Sequence, residues 1–216
     1  MALFDRSARC YLYCLQCIQS LIVVVTICFL SACVTINQTI PVEDIDQSWL
    51  NRTDYLYENP HWVAKMSLLG VTDEQKFKTK VIWQQKGESY QIKLQDFIGR
   101  TVAIIDGSEE TVVVKTSKGQ RYQGDDAEAL IQELFGMHIP VTGLRYWLQG
   151  VPQPRSKLDE LKLSEEGLAE TMQQHGWQMS YPYYVANDPF KMPSQVLLAI
   201  DNLSLTVKIS QWDFSQ

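Results

Sequence analysis

The strongest constraint on the fold is a repeated two-residue alternation of apolar and polar side chains. In the segment KFKTKVIW, Phe77, Val81 and Trp83 fall on one face, and lysines fall on the other. The segment SYQIKLQ, residues 89–95, alternates in the same way. Successive side chains of a strand point to opposite faces, so each segment predicts a strand with one face in the core and one in water.

Seven further segments carry this alternation or a short apolar run between turn residues. They are residues 62–69, 102–105, 111–115, 168–172, 177–181, 196–200 and 203–212. Glycine-containing turns such as Lys86-Gly87 and Lys118-Gly119 separate several of them. Short strands at even spacing with tight turns are typical of antiparallel hairpins.

Helical periodicity replaces the alternation in three places. The expected helices span residues 42–59, 127–135 and 143–150. Pro60 ends the first pattern, because proline cannot continue a helix. Asp125 or Asp126 is the candidate N-cap of the second helix, and Gly136 is its candidate C-terminal stop.

The order of elements is therefore helix, several strands, two helices, several strands, within one domain over residues 43–216. This order predicts a mainly β fold with helices, of the α+β class. We expect an unclosed antiparallel β-barrel, or half-barrel, covered by helices. A curved sheet of this kind tends to enclose a hydrophobic cavity.

Bulky apolar side chains on the inner faces of these elements are candidates for the cavity wall or for a lid over its opening. They are Trp83, Ile92, Leu94, Leu130, Leu134, Trp147, Leu148, Leu205 and Val207. Most of these residues would also suit an ordinary filled core. Trp147 is the lid candidate, and packing of its helix on the sheet is the alternative.

The amino terminus carries an apolar run behind Arg6 and Arg9 that ends in Leu-Ser-Ala-Cys at Cys33. A permanent membrane-spanning helix is one possibility. A basic segment, an apolar core and small residues before a cysteine instead describe a lipoprotein signal peptide over residues 1–32, with Cys33 acylated after cleavage. Residues 33–42 would then form an acylated tether of about 30 Å at full extension.

The composition of the chain restricts the cellular compartment and the partners that we expect. All five cysteines lie within the first 33 residues, so no disulfide framework is available to the domain that follows. This distribution suits an oxidising compartment. The formal net charge is −6, and no long basic cluster is present, so nucleic acid is not an expected partner.

Residues for catalysis or metal binding do not form a recognisable motif. His61, His138 and His175 are scattered, and there is no glycine-rich phosphate loop or metal-ligand spacing. The pair Asp125-Asp126 is explained by helix capping. We therefore expect no enzyme activity, no catalytic residues, no metal and no cofactor.

Three stretches resemble a known family. They are WQQKGESYQIKLQDFIGR, KGQRYQGDDAEALIQELFGMHIPVTGLRYWLQGVPQP and QQHGWQMSYPYY. They are similar to the outer-membrane lipoprotein receptor family LolB of Gram-negative bacteria. The resemblance implies a monomer that takes lipoproteins from the periplasmic carrier LolA, holds their acyl chains in a hydrophobic interior and inserts them into the outer membrane without nucleotide hydrolysis. It also implies that acylated Cys33 holds the protein to the inner leaflet of that membrane, on the periplasmic face.

One family element can be placed by residue. The family has a loop, commonly Asn/Gly-Pro-Leu-Gly, whose leucine is needed for membrane insertion, and the matching residues here are Asp96, Phe97, Ile98 and Gly99. Ile98 takes the place of the leucine. Phe97 replaces a proline that would fix φ, so a less rigid loop is expected. Without the resemblance, burial of Phe97 and Ile98 in the core would be the simpler interpretation.

The partners and the function each allow an alternative. Lys76, Lys78 and Lys80 share one face of a strand, where they could receive an acidic carrier or protect a sheet edge. A lipid-binding or lipopolysaccharide-binding module would also have a cavity, with basic residues at its mouth in the latter case. A scaffolding outer-membrane lipoprotein would need no cavity at all.

Overall fold

The computed structural model describes residues 42–187 and 189–214, with side chains from Gln47 onward. The predicted signal peptide over residues 1–32, the lipidation site Cys33 and residues 34–41 of the predicted tether lie outside these residues. Residue 42, the last of that tether, is the first residue of a helix.

Three helices in the described residues overlap the spans that the sequence predicts. They are α1 Val42–Glu58, α2 Ala127–Phe135 and α3 Val141–Trp147. Asp126 is the N-cap of α2, and its Oδ1 accepts hydrogen bonds from the N–H groups of Glu128 and Ala129 at 2.9 and 3.0 Å. Gly136 ends α2 with φ of 71°, as expected for a left-handed C-cap.

Helix α3 is shorter and begins earlier than the predicted span of 143–150. Its N-cap is Pro140, so the helix starts at Val141. Proline lacks the N–H that a helix start leaves unpaired, and it therefore suits this position.

The part of the chain that the structure describes has eleven strands after α1, six before the other two helices and five after them. They are β1 His61–Val71, β2 Lys76–Lys86, β3 Ser89–Gln95, β4 Thr101–Gly107, β5 Val112–Thr116, β6 Arg121–Gly124, β7 Glu160–Leu163, β8 Ala169–Gln174, β9 Trp177–Val185, β10 Met192–Ile200 and β11 Leu203–Asp213. Nine of them overlap the predicted segments. Strands β6 and β7 were not predicted.

All strands belong to one antiparallel sheet in the order β6-β5-β4-β3-β2-β1-β11-β10-β9-β8-β7. Its two edges, β6 and β7, do not pair with each other within the described residues. The sheet is two meanders joined by β1 and β11. The predicted α+β half-barrel is thus confirmed: the sheet is unclosed, and α2 and α3 are inserted between its halves.

Helix α1 packs on this sheet through one stripe. Its buried residues Trp49, Arg52, Thr53 and Leu56 follow the spacing of a single helix face. The Arg52 side chain donates a hydrogen bond to the backbone oxygen of Gln149, which follows α3. No helix in the described part of the chain is both long and apolar enough to cross a bilayer.

Candidate functional site

A cavity of about 380 Å³ lies between the inner face of the sheet and helices α2 and α3. Its walls come from five neighbouring strands, β1 to β4 and β11, from both helices and from the loop between them. Its lining residues are Met66, Leu68, Phe77, Lys78, Thr79, Val81, Trp83, Ile92, Leu94, Gln95, Asp96, Val102, Ile105, Ile131, Phe135, Met137, Ile139, Val141, Leu144, Leu148, Leu205 and Val207. Only four of these side chains are polar or charged. The wall therefore suits a hydrocarbon guest.

The structure brings six of the nine predicted wall or lid residues into this cavity. They are Trp83, Ile92, Leu94, Leu148, Leu205 and Val207. The strand residues among them all lie on the inner face that the alternation predicts. Leu148 reaches the cavity from the end of α3.

Leu130, Leu134 and Trp147 are outside the cavity lining. On α2 the next stripe, Ile131 and Phe135, faces the cavity. Residues four apart share a helix face, and a shift of one residue rotates a side chain by about 100°. Both stripes are apolar, so periodicity alone does not separate them.

Trp147 lies in a buried cluster instead of over the opening. Its side chain is 1% exposed, and its ring centroid is 6.2 Å from that of Trp177. Its Nε1 donates a hydrogen bond to Oε1 of Gln174 at 2.8 Å. These contacts place Trp147 in the packing between α3 and the sheet, which is the alternative to a lid.

The fully buried Gln174 is expected to be important for stability. Its Oε1 also accepts from the N–H of Gln153, and its Nε2 donates to the oxygens of Gln153 and Ser156. Gln174→Leu leaves two buried N–H donors without acceptors, so we expect the free energy of unfolding to fall by about 3 kcal/mol, measured by urea denaturation.

A double-mutant cycle supplies the control for Gln174→Leu. In a Trp147→Phe background the Nε1 donor is absent, so Gln174→Leu should cost less there than in the wild type. Equal costs in both backgrounds would show that the Trp147 hydrogen bond does not contribute.

Several wall residues were missed by the sequence reasoning because they lie outside regular elements. Met137 and Ile139 come from the loop between α2 and α3. A loop has no periodicity that assigns its side chains to a face. Their only sequence signal is two apolar residues on either side of His138, between a glycine stop and Pro140.

A short loop with two exposed apolar side chains stands at the rim of the cavity. Gln95 and Asp96, at its start, line the cavity, while Phe97 is 83% exposed and Ile98 is 60% exposed. Gly99 follows with φ of 90°, a conformation that glycine adopts without strain. Large apolar side chains in water mark a contact surface.

The carboxylate of Asp96 holds this loop in shape. Its Oδ1 accepts hydrogen bonds from the N–H groups of Ile98 at 3.0 Å and Arg100 at 2.9 Å. Its Oδ2 forms an ion pair with Nε of Arg100 at 2.7 Å. In addition, Nε2 of Gln95 donates to the oxygen of Gly99. A hydrogen-bonded turn thus takes over the restraint that a proline would provide.

The pKa of Asp96 reflects these contacts. Desolvation raises the pKa, but the hydrogen bonds and charge of Arg100 and the Ile98 N–H outweigh it, so the pKa lies below its ordinary value. Because the folded pKa is lower than the unfolded one, the carboxylate contributes fully above the unfolded pKa. This contribution is lost as the pH falls through the folded pKa.

We expect Asp96→Ala to loosen the loop without unfolding the domain. Amide hydrogen exchange at Ile98 and Arg100 should become up to about tenfold faster at neutral pH, because each loses a hydrogen bond. The exposed Asp73, in the turn between β1 and β2, provides a matched control as Asp73→Ala. Unchanged exchange at both amides in Asp96→Ala would contradict the assigned role of the carboxylate.

The described residues contain no group of three or more histidine, cysteine, aspartate or glutamate side chains that could hold a metal ion. Of the pair Asp125-Asp126, Asp126 is the N-cap of α2, and Asp125 is the residue before it. The cavity wall is largely apolar, so the chemistry that it offers is the binding of apolar groups.

The sequence of the chain is similar to proteins of a known family. The family model described as Outer membrane lipoprotein LolB matches residues 60–212. The Outer-membrane lipoprotein LolB of Tolumonas auensis is 26% identical over 202 residues, which cover 94% of this chain and 100% of that protein. The Outer-membrane lipoprotein LolB of Alkalilimnicola ehrlichii is 29% identical over 186 residues, covering 86% and 92%.

Among solved structures, a LolA superfamily protein from Nitrosomonas europaea aligns with 79% of this chain and 93% of its own, with a TM-score of 0.49 and 7% identity. The family model spans well over half of the chain and contains the whole sheet from its first strand to Trp212. The chain belongs to the LolB family of outer-membrane lipoproteins.

Proposed function

We propose that this protein receives lipoproteins from the periplasmic carrier LolA and inserts them into the outer membrane. The observation that carries the proposal is an apolar cavity whose rim bears the exposed pair Phe97 and Ile98. The cavity takes acyl chains of the cargo, and the exposed pair contacts the bilayer. The role is that of a carrier, without enzyme activity, metal or cofactor.

The cavity has the size and chemistry for hydrocarbon. Its volume of about 380 Å³ is within the usual range of small-molecule pockets. Each methylene group that leaves water contributes roughly 0.8 kcal/mol. Gln95 and Asp96 line the cavity at the start of the exposed loop, so the acyl chains enter there and the polypeptide of the cargo stays in water.

Transfer without nucleotide hydrolysis requires only graded affinity. A tenfold step in affinity corresponds to about 1.4 kcal/mol. At about 25 cal/mol per Å², this is on the order of 50 to 60 Å² of additional apolar burial. The cargo moves in one direction when this cavity binds the acyl chains slightly more tightly than the carrier does, and the bilayer binds them more tightly still.

Anchoring keeps the cavity close to the membrane that receives the cargo. Acylation of Cys33 with more than one chain makes release from the membrane slow. The tether keeps the domain, as a monomer, near the inner leaflet on the periplasmic face of the outer membrane. Phe97 and Ile98 are then within reach of the lipid surface.

A binding experiment tests the cavity function. A soluble form that begins after Cys33 is titrated with a fluorescent fatty acid, and bound probe is then competed with a purified triacylated lipoprotein or with lipopolysaccharide. We expect saturable binding and displacement by the lipoprotein at lower concentration. Absence of binding would favour a scaffold, and preferential displacement by lipopolysaccharide would favour a lipopolysaccharide-binding module.

A further inference from the structure

Four neighbouring strands in the middle of the sheet are rich in lysine and poor in acid. Strands β3, β2, β1 and β11 are adjacent in this order. Their lysines are Lys65, Lys76, Lys78, Lys80, Lys86, Lys93 and Lys208, and their only acidic residue is Asp213, at the end of β11. The whole chain has a net charge of −6, so this concentration of positive charge is local.

Five of these lysines form one cluster on the side of the sheet that faces away from the cavity. We call Lys65, Lys78, Lys80, Lys93 and Lys208 the outer lysine face. In the sheet, Ser67 lies between Lys80 and Lys208, and Ile82 lies between Lys65 and Lys93. Each of these pairs is therefore two strands apart, or about 10 Å.

Neither ion pairing nor edge protection explains the outer lysine face. Lysines elsewhere, such as Lys115, Lys162 and Lys191, pair with carboxylates, but none of the five does so within the described residues. The suggestion that lysines on β2 protect a sheet edge is wrong, because β2 is paired on both sides. The five charges together give this face a positive potential, so a cluster without counterions suits an anionic partner.

A shallow depression of about 400 Å³ lies within this face. Its polar lining is Lys65, Ser67, Lys80, Gln95, Lys208 and Ser210. Lysine ammonium groups supply the charge, and the Ser67 hydroxyl supplies a short hydrogen-bond donor, whereas the Ser210 hydroxyl donates to the backbone oxygen of Lys65. This combination suits a phosphate group.

The outer lysine face continues to the rim of the cavity. Lys80 lies opposite Gln95, which immediately precedes Asp96 and the exposed pair Phe97 and Ile98. Lys78 is exposed on the outer face and also borders the cavity, so it lies at the boundary between the two. A flat surface that meets the exposed pair can therefore meet the nearest lysines as well.

We propose that the outer lysine face binds the phosphate headgroups of anionic phospholipids in the bilayer surface. Lysine is depleted in protein–protein interfaces, which favour aromatic residues, methionine and arginine. The outer lysine face has no exposed aromatic anchor, so a protein partner fits it less well. Clusters of four to eight basic residues attract anionic membranes, with roughly a fivefold gain in affinity for each residue.

This contact adds an orientation to the proposed function. The side of the domain formed by β1 to β3 and β11 faces the bilayer, so that the cavity mouth and the exposed pair remain at the lipid surface. The headgroup contact does not depend on whether the cavity holds acyl chains, and it is tested separately.

Lysine labelling on membranes tests the contact. The full-length lipidated protein is reconstituted in vesicles of phosphatidylcholine, with or without phosphatidylglycerol, and acetylation of each lysine is followed by mass spectrometry. We expect Lys78, Lys80 and Lys208 to react several-fold more slowly on the anionic vesicles. About 1 M salt should remove this protection, because the Debye length is then about 3 Å. Lys157 and Lys162 should react equally on both.

Two other outcomes of the labelling experiment would overturn the proposal. Equal labelling of the outer lysine face on both vesicles would exclude a headgroup contact. Protection that appears only when a soluble carrier protein is added would assign the face to a protein partner instead.

A triple variant links the contact to transfer. Lys65→Gln/Lys80→Gln/Lys208→Gln should slow insertion of lipoprotein into anionic vesicles and leave insertion into neutral vesicles unchanged, while Lys157→Gln/Lys162→Gln/Lys191→Gln changes neither. Loss of insertion into both kinds of vesicle would contradict a charge-specific role. Intact insertion into neutral vesicles keeps the receptor function separate from this test.

Discussion

Replacing Ile98 with glutamate is expected to slow insertion of bound lipoproteins into liposomes by up to about 10³-fold, while binding of the lipoprotein by the protein remains intact. The burial of an isoleucine side chain is worth about 2 kcal/mol. An ionised carboxylate opposes entry into the membrane by a similar amount, about 2.5 kcal/mol. Together these effects correspond to about three factors of ten.

The position of Ile98 allows this variant to be interpreted. The side chain is 60% exposed, so Ile98→Glu removes little packing and should leave the thermal stability unchanged. Phe97→Glu, at an 83% exposed neighbour, should reproduce the defect. Leu50→Glu is the matched control, since Leu50 is a 50% exposed aliphatic residue on α1 outside the cavity lining.

The measurement separates acceptance from insertion. Lipoprotein is loaded onto the soluble variant, and its appearance in liposomes is followed with time. Normal insertion by Ile98→Glu would exclude the membrane role of this loop, even if the cavity binds acyl chains. A defect of equal size in Leu50→Glu would point to a general effect of surface charge.

The fold was predictable where one physical pattern dominates. Strand β3 matches the predicted span 89–95 because its alternation is complete and a turn bounds it on each side. Helix α2 matches because Asp126 and Gly136 provide specific chemistry at its two ends. In these elements the local and the tertiary preferences agree.

The missed strands are too short for their alternation to be decisive. β6 is Arg-Tyr-Gln-Gly and β7 is Glu-Leu-Lys-Leu, and both lie at the sheet edges. They become strands because β5 and β8 offer unpaired backbone groups to them. A strand of four residues that pairs with only one neighbouring strand is fixed by that tertiary pairing. The local sequence does not encode it.

The candidate site shows the same division. Strand alternation assigns Trp83, Ile92 and Val207 to the inner face and hence to the cavity. On α2, by contrast, two apolar stripes compete, and the packing of the helix on the sheet decides between them. The exposure of Phe97 and Ile98 follows from the Asp96 turn, whose side-chain hydrogen bonds cannot be inferred from the spacing of residues alone.

The second large effect is expected from filling the cavity. Val207, on β11, is buried and lines the cavity, so Val207→Phe places a ring in space that the fold leaves free. The ring displaces about three methylene groups of a guest, which at roughly 0.8 kcal/mol each weakens binding of a fluorescent fatty acid by roughly 50-fold.

Stability distinguishes this effect from damage to the fold. Overpacking a filled core costs about 1 to 3 kcal/mol, whereas a side chain that enters an existing cavity gains contacts. We therefore expect Val207→Phe to keep or raise the melting temperature while it abolishes most of the binding. Thr206→Phe is the matched control. Thr206 is next to Val207 on β11, but its side chain points to the other face of the strand and is not part of the cavity wall.

The two measurements together decide whether the cavity is the binding site. Lost binding with unchanged or increased stability assigns the fatty acid to the space beside Val207. Unchanged binding with increased stability would show that the ring fills a void which the ligand does not use, and the acyl chains would then have to bind elsewhere. Lost stability would mean that the wall is too rigid to accept the ring, and Leu205→Phe then repeats the test from a neighbouring wall position on the same strand.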